Sequence, residues 1–296
     1  MTRSASGPRR QARPSADRFV FAPEDRLPAI LAVIGSARKR LLLSLFRCDD
    51  FDILDALATA LQRGVEVRVL VTPRAKGWTK RLRELWGVLE GMGAKLYRSA
   101  DPVVKYHAKY IVADDGLALV ASLNFTRKCF TSTVDFLLTT GDPVVVNGLR
   151  RLFAADSRKP EPVRVASFGR RLIVGPEFAR REFTRLLEGA RRSIAIADPK
   201  LTDPAILDLL KARRKEGVKV TVLGREHVGG LTPHGKMLIV DGAVAVIGSM
   251  SLSALSLDFR REVAVIVRDR ARVGEMKRVF ERLAARPPAR RGSTVR

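Results

Sequence analysis

The chain repeats itself, and the repeat limits its fold more than any other feature. Residues 37–46, ARKRLLLSLF, align with 190–199, ARRSIAIADP; Ile53-Leu54-Asp55 aligns with Ile206-Leu207-Asp208, and Arg63-Gly64-Val65 with Glu216-Gly217-Val218. Phe21 and Pro23 fall opposite Val174 and Pro176, so all these pairs share an offset of 153. Further along, His107 pairs with His234, Lys109 with Lys236, Asp114 with Asp241 and Phe153 with Phe280, each offset by 127. Two constant offsets mean two copies of one unit. Their difference places about 26 extra residues in the first copy, between Val71 and Lys105.

Each copy alternates helical and strand patterns. In the first, a helix near 27–37 leads to a strand at 41–47. An amphipathic helix at 52–63 stops at Gly64, where a left-handed cap suits glycine, and 65–71 reads as a strand. Short apolar strands at 109–113 and 117–122 flank Asp114-Asp115-Gly116, a hairpin signal. A strand at 134–140 and a helix at 143–155 close the unit. The second copy predicts elements at 178–189, 193–198, 203–216, 218–223, 236–240, 243–249, 261–268 and 270–285. The expected fold is α/β, two similar lobes each with a mixed sheet flanked by helices. The boundaries follow: a disordered basic tail at 1–18, a first lobe at 19–155, a Pro- and charge-rich linker at 156–170, a second lobe at 171–285 and a basic tail at 286–296.

Charge narrows the partners. The chain carries 55 Lys and Arg against 31 Asp and Glu, a net +24, and the two tails hold only a third of that excess. Such a field concentrates anions: nucleic acid, an anionic lipid surface or phosphorylated small molecules. No apolar run is long enough to span a bilayer, and the basic N-terminus lacks the apolar stretch of a secretory signal. Cys48 and Cys129 are too few for a disulfide framework and match no metal spacing. A reducing, cytoplasmic location is expected.

The chemistry gathers in a repeated pattern. His107-Ala-Lys109 is followed by Asp114 and then Ala121-Ser122-Leu123-Asn124; His234-Gly-Lys236 is followed by Asp241 and then Gly248-Ser249-Met250-Ser251. An acid follows each histidine by 28 residues, Asp135 and Glu262. On a strand, residues two apart share a face, so each copy is expected to present an imidazole, an ammonium and hydroxyl or amide donors toward one spot. Those are the groups a phosphodiester reaction needs. Neither histidine sits in a ligand cluster of His, Asp and Glu, so no metal and no cofactor are expected.

The two patterns resemble the signature of the phospholipase D superfamily, H-x-K-x4-D-x6-G-S-x-N, over residues 20–285. The resemblance implies two lobes related by a pseudo-twofold axis, with one active site at their interface and both half-sites in one chain, hence a monomer. It implies that His107 attacks phosphorus to form a phosphohistidine, and that His234 protonates the leaving alcohol and then deprotonates water or an acceptor alcohol. Lys109, Lys236, Ser122, Asn124, Ser249 and Ser251 would hold the phosphate oxygens, with Ser251 short of one amide donor relative to the family's Asn. Asp135 and Glu262 would orient the imidazoles, and Asp114 and Asp241 would tie down turns. Ala121 departs from the family's first glycine, which asks only that the backbone there accept a Cβ.

Other features read more simply. The insertion carries Trp78, Trp86, Leu82, Leu85, Leu89 and Met92 at helical spacing, which favours core packing over a lipid-dipping helix. The pairs Arg170-Arg171, Arg180-Arg181, Arg191-Arg192 and Arg260-Arg261 read as exposed faces, some rimming the cleft. Cys129 has no His or Asn arrangement of its own, and His227 has no counterpart. Within the superfamily, the stretch HAKYIVADDGLALVASLNFTRKCF and the unequal halves resemble the lipid branch: phospholipase D or a cardiolipin-synthase-like phosphatidyltransferase, peripheral at a membrane through its basic surface. The alternative is a metal-independent nuclease or DNA phosphodiesterase, which the charge suits although aromatics are only 6%. A non-catalytic phosphate-binding adaptor comes last, since both His/Lys pairs are intact.

Overall fold

The computed structural model describes residues 17–73, 75–98, 105–114, 116–157, 167–226, 228 and 230–285. The tail expected at 1–18, save its last two residues, the tail at 286–296, the linker centre at 158–166 and His227 lie outside the described residues. The first lobe begins with β1 (Asp17–Val20), α1 (Pro23–Ser36), β2 (Arg40–Leu45), α2 (Phe51–Gln62) and β3 (Glu66–Val71). The insertion supplies α3 (Thr79–Gly91) and β4 (Lys95–Arg98). There follow β5 (Lys105–Tyr106), β6 (Tyr110–Ala113), β7 (Leu117–Ala121), α4 (Arg127–Thr131), β8 (Thr133–Val134), β9 (Leu137–Thr140) and α5 (Pro143–Asp156). The second lobe has β10 (Leu172–Val174), α6 (Ala179–Glu188), β11 (Ser193–Ala197), α7 (Pro204–Lys215), β12 (Lys219–Leu223) and β13 (Thr232–Pro233). It ends with β14 (Lys236–Val240), β15 (Val244–Gly248), α8 (Ala254–Phe259), β16 (Arg260–Arg261), β17 (Val263–Val267) and α9 (Arg270–Ala285).

The repeat is visible in the sheets. The first has order β1-β9-β7-β6-β2-β3-β4 and the second β10-β17-β15-β14-β11-β12, the same arrangement strand for strand up to the extra β4. The insertion therefore adds a crossover helix and a parallel edge strand beside β3. Leu82, Leu85 and Leu89 of α3 are buried, and Trp86 packs against the first lobe's core. Gly64 and Gly217 end α2 and α7 in left-handed geometry, φ +80° and +90°, and Asp50 and Asp203 cap the starts of the same helices.

Among the described residues three large apolar cores hold the layers, with a smaller cluster of Phe46, Ala75 and Leu82 beside them. The outer face of each sheet packs on its own helices, α1, α2 and α3 in one lobe and α6, α7 and α8 in the other. The inner faces share one apolar core with α5 and α9, running from Val112 and Leu149 to Ile239, Met276 and Phe280. Burial of a continuous apolar interface is the main force keeping two such lobes together. One expected strand is broken: 134–140 splits into β8 and β9, and only β9 joins the main sheet.

Candidate active site

Two short parallel ladders cross between the lobes. β5 pairs with β16, Lys105 opposite Arg260 and Tyr106 opposite Arg261. β8 pairs with β13, Thr133 opposite Thr232 and Val134 opposite Pro233. Each ladder delivers one histidine. The His107 N–H donates to the Arg261 carbonyl at 2.9 Å, and the Gly235 N–H, next to His234, donates to the Val134 carbonyl at 2.6 Å. The expectation that His107 and Lys109 share one strand face is corrected here. Residues 107–109 lie between β5 and β6, because the segment leaves the main sheet to reach the opposite lobe. His234 and Gly235 likewise precede β14, which starts at Lys236.

The acids cross over. Nδ1 of His107 meets the Glu262 carboxylate of the second lobe. Nδ1 of His234 meets both oxygens of Asp135 in the first lobe, at 2.9 and 3.0 Å. With Nδ1 of each ring committed, Nε2 is left for substrate. Lys109 and Lys236 are buried between the halves, close enough that Lys236 acts on His107 and Lys109 on His234. Lys109 Nζ donates to the His107 carbonyl at 2.6 Å and lies 4.8 Å from the Phe46 ring centroid. Phe46 in turn stands edge-on to the His107 ring at 4.4 Å. The two half-sites thus form one cluster.

Electrostatically the halves differ. Burial, then Lys109, Lys236, Arg260 and Lys200, hold His107 well below its usual range. Burial also lowers His234, but the Asp135 carboxylate opposes it. Burial pushes Asp135 upward, yet His234, Lys236 and the Ser122 hydroxyl outweigh it and leave this acid below the ordinary carboxylate range. Glu262 stays raised by burial despite Ser256 and Lys109. Lys109 is lowered, chiefly by burial. A buried carboxylate set against an imidazole fixes the ring's tautomer and supports its charged form.

The expected phosphate holders divide. Ser122 Oγ donates to Asp135 at 2.6 Å and accepts from the Phe136 N–H, so it braces the acid. Ser249 Oγ accepts from the Val263 N–H at 3.2 Å. Ser251 Oγ donates to buried Asp198 at 3.0 Å. All three hydroxyls are bonded within their own lobes. Asn124 is buried, and its Oδ1 has no hydrogen-bond partner among the described residues. Asp114 and Asp241, both at positive φ (50° and 54°), each accept three backbone N–H groups, from 38–40 and 191–193. Cβ space explains two sequence differences. A Cβ on Gly248 would sit 2.2 Å from the Val263 carbonyl, and one on Gly235 2.8 Å from the Phe136 ring, whereas Ala121 and Ala108 hold their methyls in the first copy.

Several residues of the site escaped the sequence reading. Arg26, fully buried, donates to the carbonyls of Phe21, Cys129, Thr133 and Asp135, and so anchors the segment that carries the acid. Its signal was present: Arg26 shares the apolar stripe of α1 with Ala29, Ile30, Val33 and Ile34. Thr133 Oγ1 donates to Asp135 at 2.6 Å, and the Ser256 hydroxyl donates to Glu262. Cys129, at the repeat position of Ser256, is not isolated as expected: its Sγ and ligand atoms of Asp135 and His234 all lie within 4.8 Å of one another. Burial and Asp135 raise the thiol's pKa. Of the paired arginines, Arg171 bridges Asp17 and Asp142, Arg180 bridges Asp203 and Asp258, and Arg261 bridges Asp156 and Glu177. These three are partly buried ties, a correction to the expectation of exposed faces, whereas Arg170, Arg181, Arg191 and Arg192 are exposed as expected.

Comparison with known proteins gives consistent results. The family model for cardiolipin synthase, PLD-like domain, matches residues 30–157 and 225–284. Cardiolipin synthase B of Escherichia coli strain K12 is 24% identical over 315 residues, covering 83% of this chain and 75% of that protein. Cardiolipin synthase A of Pectobacterium atrosepticum is 29% identical over 126 residues, 40% of this chain and 25% of that one. Among solved structures, polyphosphate kinase from Porphyromonas gingivalis superposes with a TM-score of 0.73 at 22% identity, over 90% of this chain and 46% of that chain. Phosphatidylserine synthase from Haemophilus influenzae superposes at 0.70 and 11% identity, over 90% and 86%. These structural likenesses speak to the fold.

Proposed function

The chain belongs to the cardiolipin synthase family of phospholipase D-like domains, and from that membership we propose that its site moves a phosphatidyl group between alcohols on glycerophospholipids. Membership makes it an enzyme of the phosphodiesterase and transphosphatidylase class. In the proposed reaction Nε2 of His107 attacks phosphorus. The bond from phosphorus to the leaving alcohol breaks, and His234 gives that oxygen its proton. An acceptor hydroxyl then loses its proton to His234 as its oxygen attacks, and the P–N bond breaks to free His107. Lys109 and Lys236, buried beside both imidazoles, are placed to donate to the phosphate oxygens as charge gathers there. Water as acceptor gives hydrolysis and an alcohol gives transfer.

The observation that carries this reading is the crossed pairing of His107 with Glu262 and His234 with Asp135, around the two lysines. The lipid class rests on the cardiolipin synthase relatives. Among the described residues no helix is long and apolar enough to cross a membrane. The proposed contact with lipid is through the surface of a chain that carries net +24.

The test is a substrate panel in EDTA. Vesicles of phosphatidylglycerol, with ethanol as a competing acceptor, should yield phosphatidylethanol and free glycerol. The same charge also suits a nuclease of this superfamily. Cleavage of DNA in EDTA with no lipid turnover would replace the lipid reading with that one.

A further inference from the structure

Away from the cleft, each lobe has a crevice between the inner face of its sheet and its closing helix. In the first lobe Arg40, Leu42 and Arg68 of β2 and β3 face Arg150, Arg151 and Ala154 of α5 across about 410 Å³. In the second, Ser193, Ala195 and Thr221 face Lys277 and Glu281 of α9 across about 320 Å³. The strand residues correspond at the 153 offset, and Arg150 and Ala154 correspond to Lys277 and Glu281 at the 127 offset. Four arginines and no acid line the first crevice, whereas the second sets Glu281 against its lysines. One backbone arrangement thus holds a cationic hollow in one lobe and a nearly neutral one in the other.

Two periods gather these cations. Arg40 and Leu42 are two apart on β2, and Arg68 is the partner of Leu42 across the β2–β3 ladder, so all three share the inner face. On α5, Asn147, Arg150, Arg151 and Ala154 fall at i, i+3, i+4 and i+7, a stripe beside the buried one of Val145, Leu149 and Leu152. A solvated basic face would explain exposure, but not convergence from a sheet and a helix on one hollow. Glu66 accepts from Arg40, Arg68 and Lys95 at 3.1, 2.8 and 2.9 Å, so one carboxylate is shared among three cations. The Nε of Arg68 is buried with no hydrogen-bond partner among the described residues. Clustered guanidiniums repel one another, and an anion held between them offsets that repulsion and takes up the spare donors.

We propose that the crevice between β2, β3 and α5 binds the terminal phosphate of a small ligand, at a site separate from the catalytic cleft. Guanidinium forks match phosphate oxygens in bidentate geometry. A terminal phosphate carries about −1.5 to −2, against the single charge of a diester, and so suits four arginines better. The volume falls in the range of small-molecule sites. Arg40 opens β2, while Phe46, which packs on His107, follows its other end, so the crevice stands about 20 Å from the cleft along the strand. A phosphate bound there is not the one that reacts. The ligand is a soluble phosphomonoester or pyrophosphate, or the head group of phosphatidic acid, and the chemistry at the arginines is the same for both. The site does not depend on the reaction assigned to the cleft.

Inorganic pyrophosphate is the first probe, with binding to the full chain followed by calorimetry and by hydrogen exchange. In the native chain it should slow exchange in α5 and at the starts of β2 and β3. Arg68→Gln/Arg151→Gln should weaken binding by about tenfold or more. Ala154→Glu keeps every arginine and gives an exposed helix position the acid that the second lobe carries at Glu281; it should weaken binding comparably. The control Lys219→Gln/Lys277→Gln takes two charges from the twin crevice and should leave affinity within about twofold. Unchanged binding in both crevice variants, an equal loss in the control, or protection confined to residues 105–109 and 232–236 overturns the site. Both crevice variants should keep the native turnover of a soluble diester; its loss in both would overturn the separation from the cleft. Phosphatidylcholine vesicles containing phosphatidic acid identify the source. Retention of the native chain but not of Ala154→Glu assigns the lipid head group, and pyrophosphate binding without that difference assigns a soluble phosphate; either result supports the site. A short single-stranded oligonucleotide that binds more tightly than pyrophosphate, and loses as much in Ala154→Glu, overturns the small ligand.

Discussion

The half-sites around His107 and His234 share a backbone plan and differ in charge. Both histidines leave a two-residue cross-lobe strand, both precede a buried lysine by two residues, and both lean on an acid of the other lobe. Yet His107 stands near two further cations, Arg260 and Lys200, and before a carboxyl that burial raises, whereas His234 stands beside threonines and before a carboxylate held low. The lesson is that a duplication fixes geometry twice while leaving each copy free to set its own proton affinity. That asymmetry suits the proposed division of labour. In that proposal the ring held further below its usual range would attack phosphorus, and the ring whose lowering Asp135 opposes would carry the proton.

The largest expected effect tests the shared plan. His107→Ala and His234→Ala should each lower turnover of a soluble diester by at least about a thousandfold. Near-native activity in either variant would break the idea of one site built from two halves. The next effect sharpens the difference. Asp135→Asn, which removes the carboxylate held low, should cost about a hundredfold in kcat, and Glu262→Gln, at the carboxyl that burial raises, about tenfold. Equal losses would mean that the electrical contrast has no part in catalysis. The smallest effect concerns packing. Gly235→Ala and Gly248→Ala should each destabilise by about 1–3 kcal/mol in urea unfolding, because the added methyl meets Phe136 or the Val263 carbonyl. The reverse changes in the first copy, Ala108→Gly and Ala121→Gly, should cost about 1 kcal/mol through lost burial and chain entropy.

Much of the architecture was legible because strands and helices impose fixed periods. The 153 and 127 offsets translate into two sheets of matching order, and the insertion into one added βαβ unit. The crossing of the acids was not legible. A spacing of 28 residues says that Asp135 and Glu262 are equivalent, but not which lobe each faces. Nor could alternation reveal that residues 107–109 and Asp135 leave their strands, since that is decided by pairing with segments far off in the chain, in the other lobe. Arg26 could have been found as a cation on an apolar stripe. The neighbours of the serines were not legible either: Ser122 and Ser251 donate to Asp135 and Asp198, pairings that no spacing implies.

The exchanged carboxylates carry one more implication. Pulling the lobes apart by even a few ångströms would strip both imidazoles of their partners in a single event, leaving no half-working intermediate. Catalytic output should therefore report on how well the two halves remain clasped. Any mutation or solvent that loosens the clasp would extinguish turnover before the helices or sheets of either half begin to melt.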